Sequence, residues 1–143
     1  MNKSFVVCVF VLVSSFFFVG CGVYGINEPQ AVVDTFATAY FNWRFKQAEN
    51  CVTPSSRKWL RFAASQVVQE DVDSLKAMES AASVEVEQLD DIDDSTMLAT
   101  VLVRNYIACD SIGSHPHREE KREFKISISL VGDYWRVKLS RLP

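Results

Sequence analysis

The stretch AVVDTFATAYFNWRFKQAENCVTPSSRKWL (residues 31–60) decides the fold expected for this chain. At about 100° per residue, its first half places apolar side chains over an arc far wider than the single stripe of a surface helix. The arc consists of Val32, Val33, Phe36, Ala37, Tyr40, Phe41, Trp43 and Phe45. Asn27 is the expected N-cap, and Pro29 lies in the first turn, where its missing N–H costs nothing. The pattern predicts one long helix over residues 27–52, sandwiched between a sheet and other helices.

Two shorter helices are expected next. Thr53 is a suitable N-cap and Pro54 a suitable first helical residue, and the helix that follows directs Trp59, Leu60 and Phe62 inward. The stretch VVQEDVDSLKAMES (67–80) then has apolar residues at spacings of four, three and three, which predicts a third helix.

After Ser80 the apolar period changes from that of a helix to two, which is typical of strands. Four strands are predicted, in the stretches ASVEVEQLD (82–90), TMLATVLVRNYIACD (96–110), KREFKISISLV (121–131) and YWRVKLSRL (134–142). An Asp-rich turn, a loop over residues 110–120 and a Gly132-Asp133 turn separate them. Helices followed by antiparallel strands with one polar face each predict an α+β fold, in which N-terminal helices pack on a curved sheet of about four strands.

Strict alternation along the second strand assigns its two faces. Asn105, Ile107 and Cys109 fall on the same face as Ala99 and the valines that follow it, whereas Tyr106 falls on the opposite face. Asn105 is therefore expected as a polar group on the core side of the sheet.

The TPSSRKWL segment (53–60), the GDYWRVKL segment (132–139) and the order of elements resemble the nuclear-transport-factor-2-like (cystatin-like) cone fold. More narrowly, they resemble small bacterial lipoproteins of unknown function that carry this fold. The resemblance covers residues 28–143. The superfamily includes isomerases, dehydratases, ligand binders and scaffolds, so the resemblance implies a fold and no single function. It also implies a possible homodimer through the outer face of the sheet, made polar here by Arg104, Tyr106, Lys125, Arg136 and Lys138.

The N-terminus has the pattern of an export signal. Lys3 precedes the apolar run FVVCVFVLVSSFFFV (5–19), which is short for a bilayer span of about 20 residues. The following Phe18-Val19-Gly20-Cys21 resembles a bacterial lipobox, which implies acylation of Cys21. We therefore predict a lipoprotein signal peptide (1–20), a tether (21–27) and one domain (28–143), lipid-anchored in the bacterial cell envelope. Ordinary cleavage after Gly22 and a permanent transmembrane anchor are the alternatives.

Cysteine usage follows from this location. Cys51 and Cys109 remain in the folded part, an even pair in an oxidising compartment, so a disulfide between them is one expectation. Two buried thiols packing as small apolar groups are the other.

Charge and composition exclude some functions. The 143-residue chain has a net charge of −3 without clustered Lys and Arg, so no nucleic acid is expected as a partner. His115 and His117 lie in a loop, and the aspartates at 90–94 lack the glycine and distal glutamate of a calcium loop, so no metal or cofactor is predicted.

No catalytic residue is predicted, because the inward faces offer no carboxylate or imidazole for proton transfer. The expected function is a binding or interaction module whose partners are the membrane, through its lipid, and an envelope protein or small apolar ligand. Two alternatives stay open. One is a carrier with a hydrophobic ligand in the cone, near Tyr40, Trp59 and Asn105; the other is an enzyme of the isomerase or dehydratase type.

Overall fold

Among the described residues, helices come first and strands follow, in the expected order. The computed structural model describes residues 27–108 and 114–143. The predicted signal peptide, Cys21 and Cys109 lie outside these residues. The helices are α1 (Pro29–Phe41), α2 (Phe45–Ala48), α3 (Arg57–Gln66) and α4 (Gln69–Lys76), with short 3-10 turns at Glu49–Cys51 and Pro54–Ser56. The strands are β1 (Ser83–Asp93), β2 (Thr96–Ala108), β3 (His117–Val131) and β4 (Tyr134–Val137).

The four strands form one antiparallel meander in the order β1-β2-β3-β4. Two-residue turns join β1 to β2 and β3 to β4, and Gly132 adopts the positive φ of 61° that the second turn requires. The predicted loop over 110–120 was too long, because His117 already pairs with Ala108. The predicted Asp-rich turn was also too long, since β1 continues to Asp93.

The helices cover one face of this curved sheet, which confirms the predicted α+β class with N-terminal helices packed on an antiparallel sheet of four strands. The core lies between α1 and the sheet, where large apolar side chains are fully buried. They include Val32, Val33, Phe36, Val101, Val103, Ile126 and Ile128.

The predicted single helix over 27–52 is wrong, because α1 ends at Phe41. The N–H of Trp43 donates to Tyr40 O (3.0 Å) and that of Arg44 to Ala39 O (2.8 Å), the two bonds of a Schellman helix end. Trp43 has the positive φ of 59° that usually belongs to glycine at this position. The Asn42 side chain then fixes the break by pairing with the backbone N–H and C=O of Ala82.

Asn27 is not the N-cap that the sequence predicted, since Glu28 occupies that position. Its side-chain amide instead bonds the β3–β4 turn. Nδ2 donates to Asp133 O (2.8 Å), and Oδ1 accepts from the N–H of Trp135 (3.1 Å). The start of α1 is thereby fastened to the last hairpin, 108 residues further along the chain.

The segment between the helices is joined to the end of β4. Val52 forms a parallel bridge with Val137, and the buried Ser56 hydroxyl accepts from the N–H of Leu139 (2.9 Å). Thr53 Oγ1 lies 2.6 Å from Ser56 Oγ. The Thr-Pro-Ser-Ser sequence therefore both starts a helix and binds the C-terminal segment.

The molecule has two ends. We call the end with the two hairpin turns, at residues 94–95 and 132–133, the turn end. The end where β2 finishes, at Tyr106 to Ala108, is the cavity end.

Candidate functional site

A cavity of about 710 Å³ opens at the cavity end, between the helices and the inner face of the sheet. Its walls come from the end of α1, from α2, α3 and α4, from β2 and β3, and from the C-terminal residues Leu142 and Pro143. The volume lies in the range of small-molecule pockets, about 300–1,000 Å³. α4 makes few contacts with the other described elements, so it borders this space without filling it.

Aromatic rings form much of the wall and support one another. The Phe41 ring lies 4.6 Å from Phe124 and 5.3 Å from Tyr106, centroid to centroid. Tyr40 meets Phe41 and Phe45 edge-on, at 5.0 and 5.7 Å. Edge-to-face pairs at these separations are favourable beyond the area they bury. The described wall is therefore held in place before any ligand arrives.

Trp43 reaches the cavity because of the unusual end of α1. Its ring lies 6.5 Å from that of Phe45, at an interplanar angle of 22°, and both rings line the space. The left-handed backbone conformation that directs it there is unfavourable for a large L-residue. A strained residue at a cavity wall is a frequent feature of binding sites.

The two acidic side chains of the described lining, Glu70 and Asp71, both contact neighbouring groups of the protein. Asp71 is buried, and its Oδ2 accepts from the N–H of Val68 (2.8 Å), which caps the start of α4. At the rim, Glu70 Oε1 lies 3.4 Å from His115 Nδ1, so that a contact between α4 and the segment before β3 crosses the mouth.

Arg122 is the one arginine in the described lining. It lies on β3 opposite the buried Val103, on the same face as Phe124. Among the described residues no ion pair includes it. Its guanidinium is available to an anionic group of a ligand. The sequence carried a signal for it, because Arg122 falls in register with the apolar face of Phe124 and Ile126.

The structure brings only one of the three predicted pocket residues to the cavity. Tyr40 lines it, whereas Trp59 lies on α3 outside the described lining, with Lys58 Nζ over its ring at 5.5 Å. Asn105 was placed wrongly, as was Tyr106. Asn105 has a φ of 56°, and the strict alternation of β2 ends at this residue.

Beyond Asn105 three consecutive side chains, Tyr106, Ile107 and Ala108, are buried and line the cavity. Tyr106 is buried on the inner face against Phe41 and Phe124, and it lines the cavity in place of Asn105. The Asn105 side chain instead donates to Ser80 O (3.0 Å) and accepts from Arg118 Nε (2.7 Å). It joins Ser80, in the segment before β1, to Arg118 on β3.

Cys51 is a buried free thiol among the described residues. Burial raises its pKa to about 11, and the nearby Arg136 charge opposes the shift. Because Cys109 lies outside the described residues, the disulfide stays a prediction. The described geometry favours the alternative of a buried thiol. Cys51 precedes Val52, which bridges to Val137, and Val137 lies in register with Met97 near the start of β2. Ala108, the described residue that precedes Cys109, is eleven residues further along β2, about 36 Å at strand rise. A disulfide needs Cα atoms within about 7 Å.

The remaining polar candidates form local contacts. His117 Nε2 lies 3.2 Å from Glu119 Oε1 on β3. Hydrogen bonds from the Ser95 N–H and hydroxyl lower the pKa of Asp93 and order the β1–β2 turn. Within the described ranges, no three His, Cys, Asp or Glu side chains converge. None of the helices in residues 27–108 and 114–143 has the length and apolarity that crossing a bilayer requires.

Comparison with known proteins gives one finding of similarity. No protein-family model and no curated protein matches the chain. A solved structure described as an Ntf2 like protein involved in plasmid conjugation is similar over 79% of this chain, with 12% sequence identity and a TM-score of 0.36. The chain spans 45% of that protein's length. At this identity and TM-score the similarity carries no information on what this chain binds or does.

Proposed function

We propose that this protein is an exported, lipid-anchored domain of the bacterial cell envelope that binds a small molecule with an apolar body. The observation that carries the proposal is the cavity of about 710 Å³ with its wall of mutually supporting aromatic rings. An interaction scaffold would bury these rings in a filled core, since protein interiors are close-packed. The cavity therefore favours the carrier over a module that binds only through its outer surface.

The lining also indicates the kind of ligand. Flat apolar groups are expected to stack against Trp43, Phe45 and Phe124. Arg122 supplies the positive charge for a carboxylate, sulfonate or phosphate at one end of the molecule. The proposed ligand is amphipathic, with an apolar body and an anionic group.

Catalysis is the less favoured role. An isomerase or dehydratase of this fold requires a carboxylate or imidazole that faces the substrate. Asp71 caps α4, and Glu70 and His115 face one another at the rim, so both acidic groups of the described lining already have structural contacts. No reaction is proposed.

The lipid anchor and the homodimer remain proposals from the sequence. Cys21 and its lipobox-like context support attachment to a membrane. For the homodimer, the outer face of the sheet retains exposed Arg104 and Lys125, while Tyr106 is buried on the inner face.

The first test of the cavity is native mass spectrometry of residues 22–143, which contain every described element, purified gently from cells. A reproducible extra mass that is lost on denaturation supports the carrier and gives the mass of its ligand. Bare protein, with no extra mass in repeated preparations and no binding of the probes below, would contradict it.

The second test uses two fluorescent probes of similar apolar area, the anionic 1-anilinonaphthalene-8-sulfonate and the neutral N-phenyl-1-naphthylamine. We expect Arg122→Ala to weaken the anionic probe roughly tenfold, the scale of one charge-assisted hydrogen bond, and to leave the neutral probe unchanged. The matched control is Arg104→Ala, an arginine on the neighbouring strand that pairs with Glu85 on the outer surface. Equal effects of the two variants would reject the role of Arg122.

A further inference from the structure

Exposed apolar side chains gather at the turn end. Ile92, at the end of β1, is 60% exposed, and Leu130, Val131 and Tyr134 flank the β3–β4 turn and are also exposed. The two turns are neighbours, because the N–H of Leu130 donates to Ser95 O (2.8 Å). These four residues, which we call the turn patch, therefore lie at one end of the molecule.

The chain also enters the described domain at this end. Asn27 is held to Asp133 O and to the N–H of Trp135 by its side chain. Six residue steps separate Asn27 from Cys21, and six residues span at most about 20 Å even when fully extended. An acylated Cys21 would keep the turn end within about 20 Å of a bilayer.

We propose that the turn patch is a membrane-contact surface, which rests on a bilayer and directs the cavity mouth away from it. This inference rests on the lipid anchor of the proposed function. β2 has 13 residues and reaches from the turn end to the cavity end, about 40 Å at strand rise. The cavity would open toward the aqueous compartment, and its ligand would enter from that side.

The charges around the patch select the kind of lipid. Four aspartates, Asp90, Asp91, Asp93 and Asp94, flank Ile92 at the β1–β2 turn. They would be repelled by anionic headgroups, so the proposed surface is one of zwitterionic or neutral lipids. Contact is then apolar, with Tyr134 at the headgroup level, where aromatic side chains are enriched.

The test is photo-crosslinking of the full chain, produced with its signal, purified and placed in phosphatidylethanolamine–phosphatidylcholine vesicles with a headgroup label. A benzophenone-bearing phenylalanine replaces Ile92 in one protein. In the matched control it replaces Val68, which is 57% exposed and lines the cavity at the opposite end. We expect the protein with the probe at Ile92 to become crosslinked to labelled lipid. The protein with the probe at Val68 should carry no more label than the background.

Each other outcome identifies what failed. Equal labelling, stronger labelling at Val68, or no labelling of protein that floats with the vesicles overturns the membrane-contact surface and leaves the anchor intact. Crosslinks between two copies through Ile92 would assign the patch to a dimer and overturn the proposal. If the unchanged protein does not float with the vesicles, or if its Cys21→Ser variant floats equally well, the lipid anchor is rejected. The membrane contact that rests on it is then rejected too.

Discussion

The turn end and the cavity end differ in how segments distant in sequence meet. At the turn end, backbone and side-chain hydrogen bonds join the start of α1, the segment around Val52 and Ser56, and the residues from Trp135 to Leu139. At the cavity end, α3 and α4 face the sheet across a space lined by aromatic rings. The difference indicates that the turn end contributes most of the stability and that the cavity end provides the binding surface.

The largest expected effect contrasts one apolar side chain from each end. Ile128 is fully buried opposite Val137, whereas Phe62 is 40% exposed and lines the cavity. We expect Ile128→Ala to lower the free energy of unfolding by about 2–5 kcal/mol, because it leaves a void in a packed core. Phe62→Ala removes a larger side chain and should cost less than about 1 kcal/mol, since much of it is already hydrated. Urea unfolding of both variants measures these free energies. Similar losses of stability would contradict the different roles of the two ends.

The second prediction uses pH to examine the packed region around Cys51. Its pKa is raised by burial to about 11 from an unfolded value near 9.0, so the unfolded chain loses this proton first as pH rises. The contribution of the buried, neutral Cys51 thiol to the free energy of unfolding is complete below about pH 9 and is lost between about pH 9 and 11. At pH 10.5 we expect the protein to lose about 2 kcal/mol that Cys51→Val does not lose.

Urea midpoints of the two proteins at pH 8 and 10.5 provide the measurement. Comparing them cancels the titration of all other groups that they share. Identical pH dependences would show that the thiol is hydrated or bridged. Alkylation of Cys51 in the native protein at pH 8 would show that the thiol is accessible to solvent and not bridged.

The smallest expected effect isolates the backbone strain at the cavity end. Trp43→Ala and Trp43→Gly remove the same ring, and both should weaken binding of the anionic and neutral probes. Because φ is 59° at this residue, the glycine variant should be more stable than the alanine variant by about 1 kcal/mol. Thermal or urea unfolding of the pair measures the difference. Equal stabilities would mean that the end of α1 relaxes when the ring is removed.

Much of the fold follows from local patterns in the sequence. The change of apolar period after Ser80 correctly separates helices from strands, and Gly132-Asp133 correctly predicts the last hairpin. The class of fold is accessible because each element has a local signal of burial, and the signals agree with one another. Arg122 has such a signal too, since it shares the period of Phe124.

The cavity required information that the sequence does not carry locally. The alternation of β2 ends at one residue, Asn105, and an argument from a period of two cannot take a left-handed residue into account. Asn is tolerant of that conformation, which is the only local hint. Trp43 offers no hint at all, because tryptophan is an unusual residue for a Schellman end. The space itself depends on how far α3 and α4 stand from the sheet, which is a long-range property.

The bonds between Ser56, Val52 and the residues around Val137 also have a consequence for folding. The meander hairpins are local and form readily, whereas the contacts of Val52 and Ser56 close loops of more than 80 residues. The core between α1 and the sheet is therefore completed only after residues 137–139 have been synthesised. Until that moment the growing chain lacks part of its core, and an incompletely folded chain is one that a chaperone can capture.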